Sequence, residues 1–268
     1  MSRLTSLPTS LRQAITSRRL LKVIAGLTNR DQASVLRIAR AAAAGGADLV
    51  DIACEPGLVR SVAEQCPLLP ICVSAVDPDL FPAAVAAGAA MVEIGNFDAF
   101  YPEGRIFGAE EVLELTRRTR QLLPEVVLSV TVPHVLPLDE QEQLALDLQA
   151  AGADLIQTEG GTSAHPRSAG SLGLIEKAAP TLASAHGLSR ALAAASPHPA
   201  PVLCASGLSA VTVPMALAVG AAGVGVGSAV NRLGDELAMV AVVRSLREAI
   251  DTTVPLTGRG LVDVNVWP

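Results

Sequence analysis

The chain has 268 residues, of which 50% are hydrophobic and 17% are charged, and its net charge at pH 7 is −6. This acidic balance, with 2% aromatic residues, excludes the usual features of a nucleic-acid-binding surface, and no uninterrupted apolar run is long enough to span a bilayer. We therefore expect a protein that binds neither nucleic acid nor a membrane.

The N-terminal segment, residues 1–19, carries four arginines and no acid, which is also typical of some targeting peptides. Its residues Leu11, Ala14 and Ile15 have helical spacing, however, and favour a short helix that caps the bottom of a barrel. Residues 20–250 are predicted to form the barrel, and residues 251–268 a C-terminal tail, so the whole chain reads as one domain.

Eight short apolar segments read as strands, each followed by a helical pattern. The first six are predicted at Leu20–Ala25, Ala47–Ala53, Pro70–Ala75, Ala90–Gly95, Glu125–Val132 and Asp154–Thr158, and the last two lie within Pro201–Leu233. The clearest helices are predicted at about Ala109–Leu123, Leu138–Ala151, Leu174–Ala195 and Leu233–Ile250. The count is that of an α/β fold, a single (β/α)8 TIM barrel of the phosphate-binding type. A longer loop, Asn96–Gly108, holds most of the aromatic residues and is predicted to form a lid.

The even strands share a polar position. Four helices end in similar words with a glycine stop at Gly46, Gly88, Gly152 and Gly220. The fifth residue beyond each glycine is Asp51, Glu93, Gln157 or Gly225. Because strand side chains alternate, we expect these positions to point into the barrel, with the final glycine leaving room.

Lys22 lies inside the first apolar strand of a chain whose 20 basic residues comprise 18 arginines and two lysines. A buried ammonium must reach carboxylates or lose its proton, and Asp51 and Glu93 are the inward acids expected nearby. The functional hypothesis is a catalytic lysine that moves protons or, less in keeping with two neighbouring acids, forms a Schiff base. The structural alternative is a buried salt network that closes the barrel floor.

Two further candidates follow strands five and six. Glu159 precedes Gly160 and Gly161 at a strand end, where it is either a general base or an acceptor that orders the loop. His134 follows Pro133 and is either an acid/base group or a half-exposed loop residue. His165 is a weaker candidate, and Arg167 beside it could supplement an anion site.

The ends of the last two strands predict an anion site. Ser206 and Gly207 end strand seven, and Gly227 and Ser228 end strand eight and open a helix. Such ends expose backbone N–H groups, and this pair has the ordinal position at which TIM barrels bind phosphate. Gly160 and Gly161 form another glycine-rich strand end and complete the predicted phosphate-binding set. The alternative is that these glycines only allow tight turns.

The four cysteines, Cys54, Cys66, Cys72 and Cys204, form no CxxC pair, and three lie in or beside apolar strands. Buried thiols of this kind suggest a reducing compartment, so we expect a cytoplasmic location. Cys54, at a strand end with no evident base, is interpreted as structural. No grouping of His and Cys predicts a metal site.

The words KVIAGLTN, VDIA, EIGNFD, SVTVPH, IQTEGG and GVGVGSAVN occur in this order at strand ends between about Leu20 and Leu233. Together they resemble the family first described as hypothetical chloroplast reading frame twenty-three, of plastids and photosynthetic bacteria. The resemblance implies a TIM barrel and a location in the cytoplasm or plastid stroma, but no activity and no catalytic residue. The last two words also resemble ribulose-phosphate-binding and some FMN-binding barrels, in the phosphate site and not in the chemistry.

Three functions are compatible with these features. The first is a lyase or isomerase that acts by acid/base chemistry on a phosphorylated small molecule bound at the barrel mouth. The second is an FMN-binding barrel, for which FMN would be the cofactor. The third is a non-catalytic protein that binds a metabolite or a partner. The sequence leaves open whether the chain forms a homo-oligomer.

Overall fold

The structure, a computed structural model, describes residues 3–161 and 164–253. Eight parallel strands close into a barrel in the order β1 to β8. They are β1 Leu20–Gly26, β2 Leu49–Ala53, β3 Ile71–Ala75, β4 Met91–Ile94, β5 Val127–Thr131, β6 Leu155–Gln157, β7 Val202–Ala205 and β8 Gly223–Val226. The predicted fold class is confirmed. Each of the first six strands differs from its predicted bounds by two residues at most, and β7 and β8 lie within the predicted stretch Pro201–Leu233.

Helices connect the strands and form the outer layer. They are α1 Thr9–Thr16, α2 Gln32–Gly45, α3 Pro56–Gln65, α4 Phe81–Ala86, α5 Ala109–Leu122, α6 Leu138–Ala150, α7 Gly170–Ala195, α8 Val213–Ala218, α9 Ser228–Asn231 and α10 Glu236–Thr252. None of the helices in the described part of the chain is long and apolar enough to cross a bilayer.

Two helices begin at residues other than those predicted. The last helix, α10, starts at Glu236 and not at Leu233, because the Asp235 side chain caps it by accepting from the Ala238 N–H at 2.8 Å. Helix α7 starts four residues early, at Gly170, and includes Pro180. Residues 254–268, most of the predicted tail, lie outside the described residues.

The barrel interior is closed at its bottom by an apolar floor. Leu20, Leu49, Cys72, Met91, Val127, Leu155 and Leu203 point inward from the strands, and Leu7, Leu11, Ala14 and Ile15 pack beneath them. Leu11 is fully buried and Ile15 almost so. The N-terminal helix α1 therefore caps the barrel as predicted. Because α1 closes the bottom, a ligand can enter only at the opposite end of the barrel, where the carboxyl ends of the strands lie.

The predicted lid, residues 96–108, forms two short 3-10 helices, Phe97–Ala99 and Tyr101–Glu103. Phe97 and Phe107 are buried, and their ring centroids lie 4.5 Å apart. Most of the aromatic residues in this loop therefore anchor it to the barrel, while Asp98 and Ala99 face the mouth.

Candidate functional site

A cavity of about 520 Å³ opens at the carboxyl ends of the strands. The loops that follow β1, β4, β6, β7 and β8 line it. Its polar and small lining residues include Asn96, Asp98, Glu159, Gly161, Lys177, Ser206, Gly207, Gly227, Ser228, Asn231 and Arg232. This is the end of a TIM barrel at which ligands bind.

The two glycine-bearing turns predicted to form the anion site both line this cavity. Strands β7 and β8 are paired through Ala205 and Gly225, which places Ser206-Gly207 beside Gly227-Ser228. The N–H groups of Gly207 and Ser228 have no hydrogen-bond acceptor among the described residues. Two unpaired backbone donors are therefore available at one end of the cavity.

The strand-six glycines have a packing role. A Cβ atom at Gly161 would lie 2.3 Å from the Gly207 Cα, so the two turns touch backbone to backbone. The Gly161 N–H donates to the Ser206 Oγ at 2.9 Å and is therefore not available to a ligand. Gly160 packs against the His134 side chain and does not line the cavity. The predicted phosphate-binding set thus divides, with Gly160 outside the cavity and the other five members at its wall.

Two cations that we did not predict as site residues, Lys177 and Arg232, also line the cavity. Lys177 is half-buried on α7, and Arg232 follows the short helix α9. Within the described part of the chain, neither side chain forms an ion pair or a hydrogen bond. The scarcity of lysine drew attention to Lys22, and the same argument applied to Lys177 could have found it.

Beneath the cavity, four inward side chains form a buried polar layer. The Lys22 Nζ donates to Glu93 Oε2 at 2.6 Å and to Gln157 Oε1 at 3.0 Å, and lies 3.4 Å from Asp51 Oδ2. Gln157 Nε2 in turn donates to Glu93 Oε1 at 2.7 Å. All four are at most 1% exposed, and Gly225 of β8 leaves room beside Gln157. The predicted inward orientation of Asp51, Glu93 and Gln157 is confirmed.

The cation and the two acids of this layer shift the pKa values of one another. Burial alone would lower the pKa of Lys22, but the carboxylates of Asp51 and Glu93 outweigh that effect and raise it. Burial raises the pKa of Asp51 to about 6, with Lys22 opposing the rise and Glu93 adding to it. Lys22 is therefore held charged, which disfavours the Schiff-base interpretation. None of Lys22, Asp51 and Glu93 lines the cavity.

Asn96 joins the buried layer to the cavity. It follows β4 in the left-handed conformation, with φ of 61°. Its Nδ2 donates to Asp51 Oδ2 at 3.3 Å and to Glu93 Oε1 at 3.4 Å, while the residue also lines the cavity. The sequence places this asparagine in the word EIGNFD and at the start of the predicted lid, but it was not predicted as a site residue, since the contact depends on how the loop leaves the strand.

Glu159 and His134, predicted separately, are in direct contact. Glu159 Oε1 lies 3.1 Å from His134 Nδ1, accepts from the His134 N–H at 3.2 Å and also accepts from the Tyr101 hydroxyl. Glu159 Oε2 accepts one bond, from the Asp98 N–H at 3.3 Å. Burial, followed by the adjacent Glu159 carboxylate, raises the pKa of Tyr101. Glu159 lines the cavity and orders two loops, whereas His134 lies behind it.

The remaining candidates do not line the cavity. His165 and Arg167 are exposed, and neither lines the cavity. The half-buried Cys54 has its pKa raised to about 12, chiefly by burial, which gives no sign of a reactive thiol. Within residues 3–161 and 164–253, no three His, Cys, Asp or Glu side chains gather as metal ligands would.

Comparison with known proteins identifies the family. The model of the family described as "Protein of unknown function (DUF561)" matches residues 7–255. The chain belongs to this family. The "Uncharacterized protein ycf23" of Cyanophora paradoxa is 40% identical over 239 residues, covering 89% of this chain and 96% of that protein. The protein of the same name from Pyropia yezoensis is 35% identical over 236 residues, covering 88% and 84%.

The resemblance inferred from the strand-end words is thereby confirmed. The DUF561 match extends beyond the predicted span at both ends and includes α1, which the sequence analysis had left outside the resemblance. The capping helix is therefore part of what defines the family.

Solved structures with a similar fold include two proteins whose names contain phosphate compounds. The thiamine phosphate pyrophosphorylase from Pyrococcus furiosus has a TM-score of 0.55 and 17% identity, covering 88% of this chain and 98% of that one. A 3-hexulose-6-phosphate synthase has a TM-score of 0.59 and 16% identity, covering 86% and 99%. At this level of identity the likeness shows the fold of this DUF561 member and carries no information on its function.

Proposed function

We propose that this barrel binds a phosphorylated small molecule at its mouth and acts on it as a lyase or isomerase by acid/base chemistry. One observation carries the binding part. Lys177 and Arg232, two cations with no ion pair among residues 3–161 and 164–253, line the same cavity as the N–H groups of Gly207 and Ser228, which have no acceptor among those residues. A phosphate monoester supplies the negative charge and the acceptor oxygens that these donors lack.

A carboxylate in the cavity wall supports the proposed chemistry. Glu159 Oε2 accepts a single bond, from the Asp98 N–H at 3.3 Å, so it retains a lone pair that can take a proton from the ligand. Tyr101 and His134 hold the other oxygen and fix the carboxylate in place. In this proposal Glu159 is the general base, and His134, bound to it through Nδ1, orients it and passes protons.

The names of the fold neighbours agree with a phosphorylated ligand without deciding the reaction. The relatives named ycf23 agree with the plastid family that the strand-end words resemble, and we propose a stromal or cytoplasmic location on that ground. Lys22, Asp51 and Glu93 belong to this proposal as an inner charged layer that does not touch the ligand.

The proposal is tested in two steps with the full-length protein. Isothermal titration with inorganic phosphate and a panel of phosphate monoesters should show binding, and Lys177→Met should weaken it by about tenfold or more, as loss of a charge-assisted hydrogen bond does. Phosphorus NMR of the same panel should then reveal turnover of at least one compound. Glu159→Gln should abolish that turnover and retain phosphate binding, while Glu64→Gln, an exposed acid on α3, should leave both unchanged.

The alternatives are outcomes of the same experiment. If the protein retains visible flavin absorbance after incubation with FMN and Lys177→Met does not, the protein is a flavin protein and the lyase or isomerase proposal is wrong. Affinity without turnover of any compound would leave a metabolite-binding protein. No specific contact in the described residues favours either one over the acid/base enzyme.

A further inference from the structure

The Asn96 side chain has two polar ends in different surroundings. Its Nδ2 faces down, where it donates to Asp51 Oδ2 at 3.3 Å and to Glu93 Oε1 at 3.4 Å. Its Oδ1 accepts no hydrogen bond from the described residues and is not among the buried unpaired atoms. Asn96 is also among the residues that line the cavity, and Oδ1 is the one polar atom of its side chain without a partner among the described residues.

The chemistry of the buried layer fixes this orientation. Ionised carboxylates only accept hydrogen bonds, so an amide above two of them must turn its NH₂ group toward them. Rotation of the amide by half a turn would set Oδ1 against carboxylate oxygens and lose both bonds. Lys22 lies 2.6 Å from Glu93 Oε2 and 3.4 Å from Asp51 Oδ2, so both acids act as acceptors toward the ammonium and the constraint stays in place.

We propose that Asn96 is a specificity-determining residue, locked by the buried charged layer so that it presents only a hydrogen-bond acceptor to the ligand. This inference rests on the proposed phosphate site and names the substrate class more closely. A ligand anchored by its phosphate at Lys177 must carry a hydroxyl that donates to Asn96 Oδ1. A phosphate ester of a polyhydroxylated chain meets this requirement, whereas an ester with no donor leaves Oδ1 unpaired and binds less tightly.

The inference also assigns a purpose to the buried layer. Lys22, Asp51 and Glu93 do not touch the ligand and act as positioning residues through the amide above them. A buried ion network is not in itself evidence for stability, because the desolvation of its charges can exceed their attraction. Its use here is to hold one side chain in one orientation.

The test measures discrimination between esters of matched length. Glycerol, erythritol and ribitol phosphates are compared with n-propyl, n-butyl and n-pentyl phosphates by isothermal titration, with inorganic phosphate as the reference probe. The wild-type protein should bind at least one hydroxylated ester about three- to tenfold more tightly than its alkyl counterpart, which is the effect of one hydrogen bond. Asn96→Gly removes the side chain without straining a backbone with φ of 61° and should equalise that pair.

The controls separate the two proposals. Asn96→Gly should leave the affinity for inorganic phosphate unchanged, and Gln13→Ala, which removes an exposed amide on α1 at the bottom of the barrel, should leave all affinities unchanged. If Asn96→Gly weakens both members of a pair equally, or if the wild type prefers no hydroxylated ester, the assignment of Asn96 is wrong while the phosphate site stands. If none of the probes, including inorganic phosphate, binds the wild type, the phosphate site falls and this inference falls with it.

Discussion

Replacing Lys22 by methionine removes the only cation of the buried layer and leaves two acids facing each other. The change is close to isosteric, so it tests charge more than packing. Lys22 is fully buried, 2.6 Å from Glu93 and 3.4 Å from Asp51, and its ammonium cannot be replaced by water or by a nearby cation without rearrangement. Loss of stability is therefore the expected result.

The magnitude follows from these distances. At an effective dielectric constant of about 20, the two attractions amount to about 6 and about 5 kcal/mol, and the desolvation of each ion costs several kcal/mol in the opposite direction. Removing one partner leaves the uncompensated charges, so Lys22→Met should lower the free energy of unfolding by about 3–5 kcal/mol. Removing every charge, with Asp51→Asn and Glu93→Gln added, should recover most of that loss.

The assay is urea unfolding at neutral pH followed by circular dichroism. The chain supplies a matched control in its other lysine. Lys177→Met removes a half-buried ammonium that has no ion pair in the described part of the chain, and should change stability by no more than about 0.5 kcal/mol. The two substitutions should thus have different effects: Lys22→Met should lower stability, and Lys177→Met should weaken phosphate binding. If Lys22→Met unfolds at the wild-type urea concentration, the account of the layer as a coupled charge network is refuted.

Three further results are expected. Gly161→Ala places a Cβ 2.3 Å from the backbone of the β7 turn and should weaken phosphate binding in titrations, whereas Gly108→Ala, with open space around it, should not. Leu11→Ala should cost about 2–5 kcal/mol in urea unfolding because it opens a hole in the floor of the barrel, and Leu68→Ala, 95% exposed, should cost almost nothing. Burial raises the pKa of Asp51 from 3.8 to about 6, so the native state binds this proton more tightly than the unfolded chain does. Keeping Asp51 ionised in the native state therefore lowers the free energy of unfolding by ~3 kcal/mol above about pH 6, and this loss should disappear as the pH falls toward about 4. The same pH dependence of stability in Asp51→Asn would contradict this account.

The strands and the inward layer could be predicted because local rules determine them. Alternation of side chains along a strand assigns Val50 and Ile52 to one face of the sheet and Asp51 to the other, and each helix-stop glycine sets the register of the strand that follows. These rules need no knowledge of distant residues. They predicted that Glu93 and Asp51 would approach Lys22 across the barrel.

The site residues on helices and loops could not be found in this way. Lys177 reaches the cavity from α7, and no strand rule applies to a helix position. Asn96 contacts the buried acids because Gly95, at φ of 152°, turns the chain over Thr131, where a Cβ would lie 2.0 Å from the threonine hydroxyl. Predicting that contact requires the path of the backbone, which the sequence pattern does not contain.

The buried charged layer beneath the cavity is better explained by ligand recognition than by stability. A buried network of Lys22, Asp51 and Glu93 adds little net stability, and an apolar layer of the same size would serve the fold as well. An apolar layer, however, would leave the amide of Asn96 free to turn either end toward the ligand. Selection of a hydrogen-bond donor over a group that can only accept requires that only the oxygen be available, and acids that only accept hydrogen bonds impose this from below. The triple replacement that restores stability should therefore bind an O-methylated ester, whose ether oxygens can only accept, about as tightly as the hydroxylated one. A preference for the hydroxylated ester as strong as that of the wild type would show that the layer plays no part in recognition of the ligand.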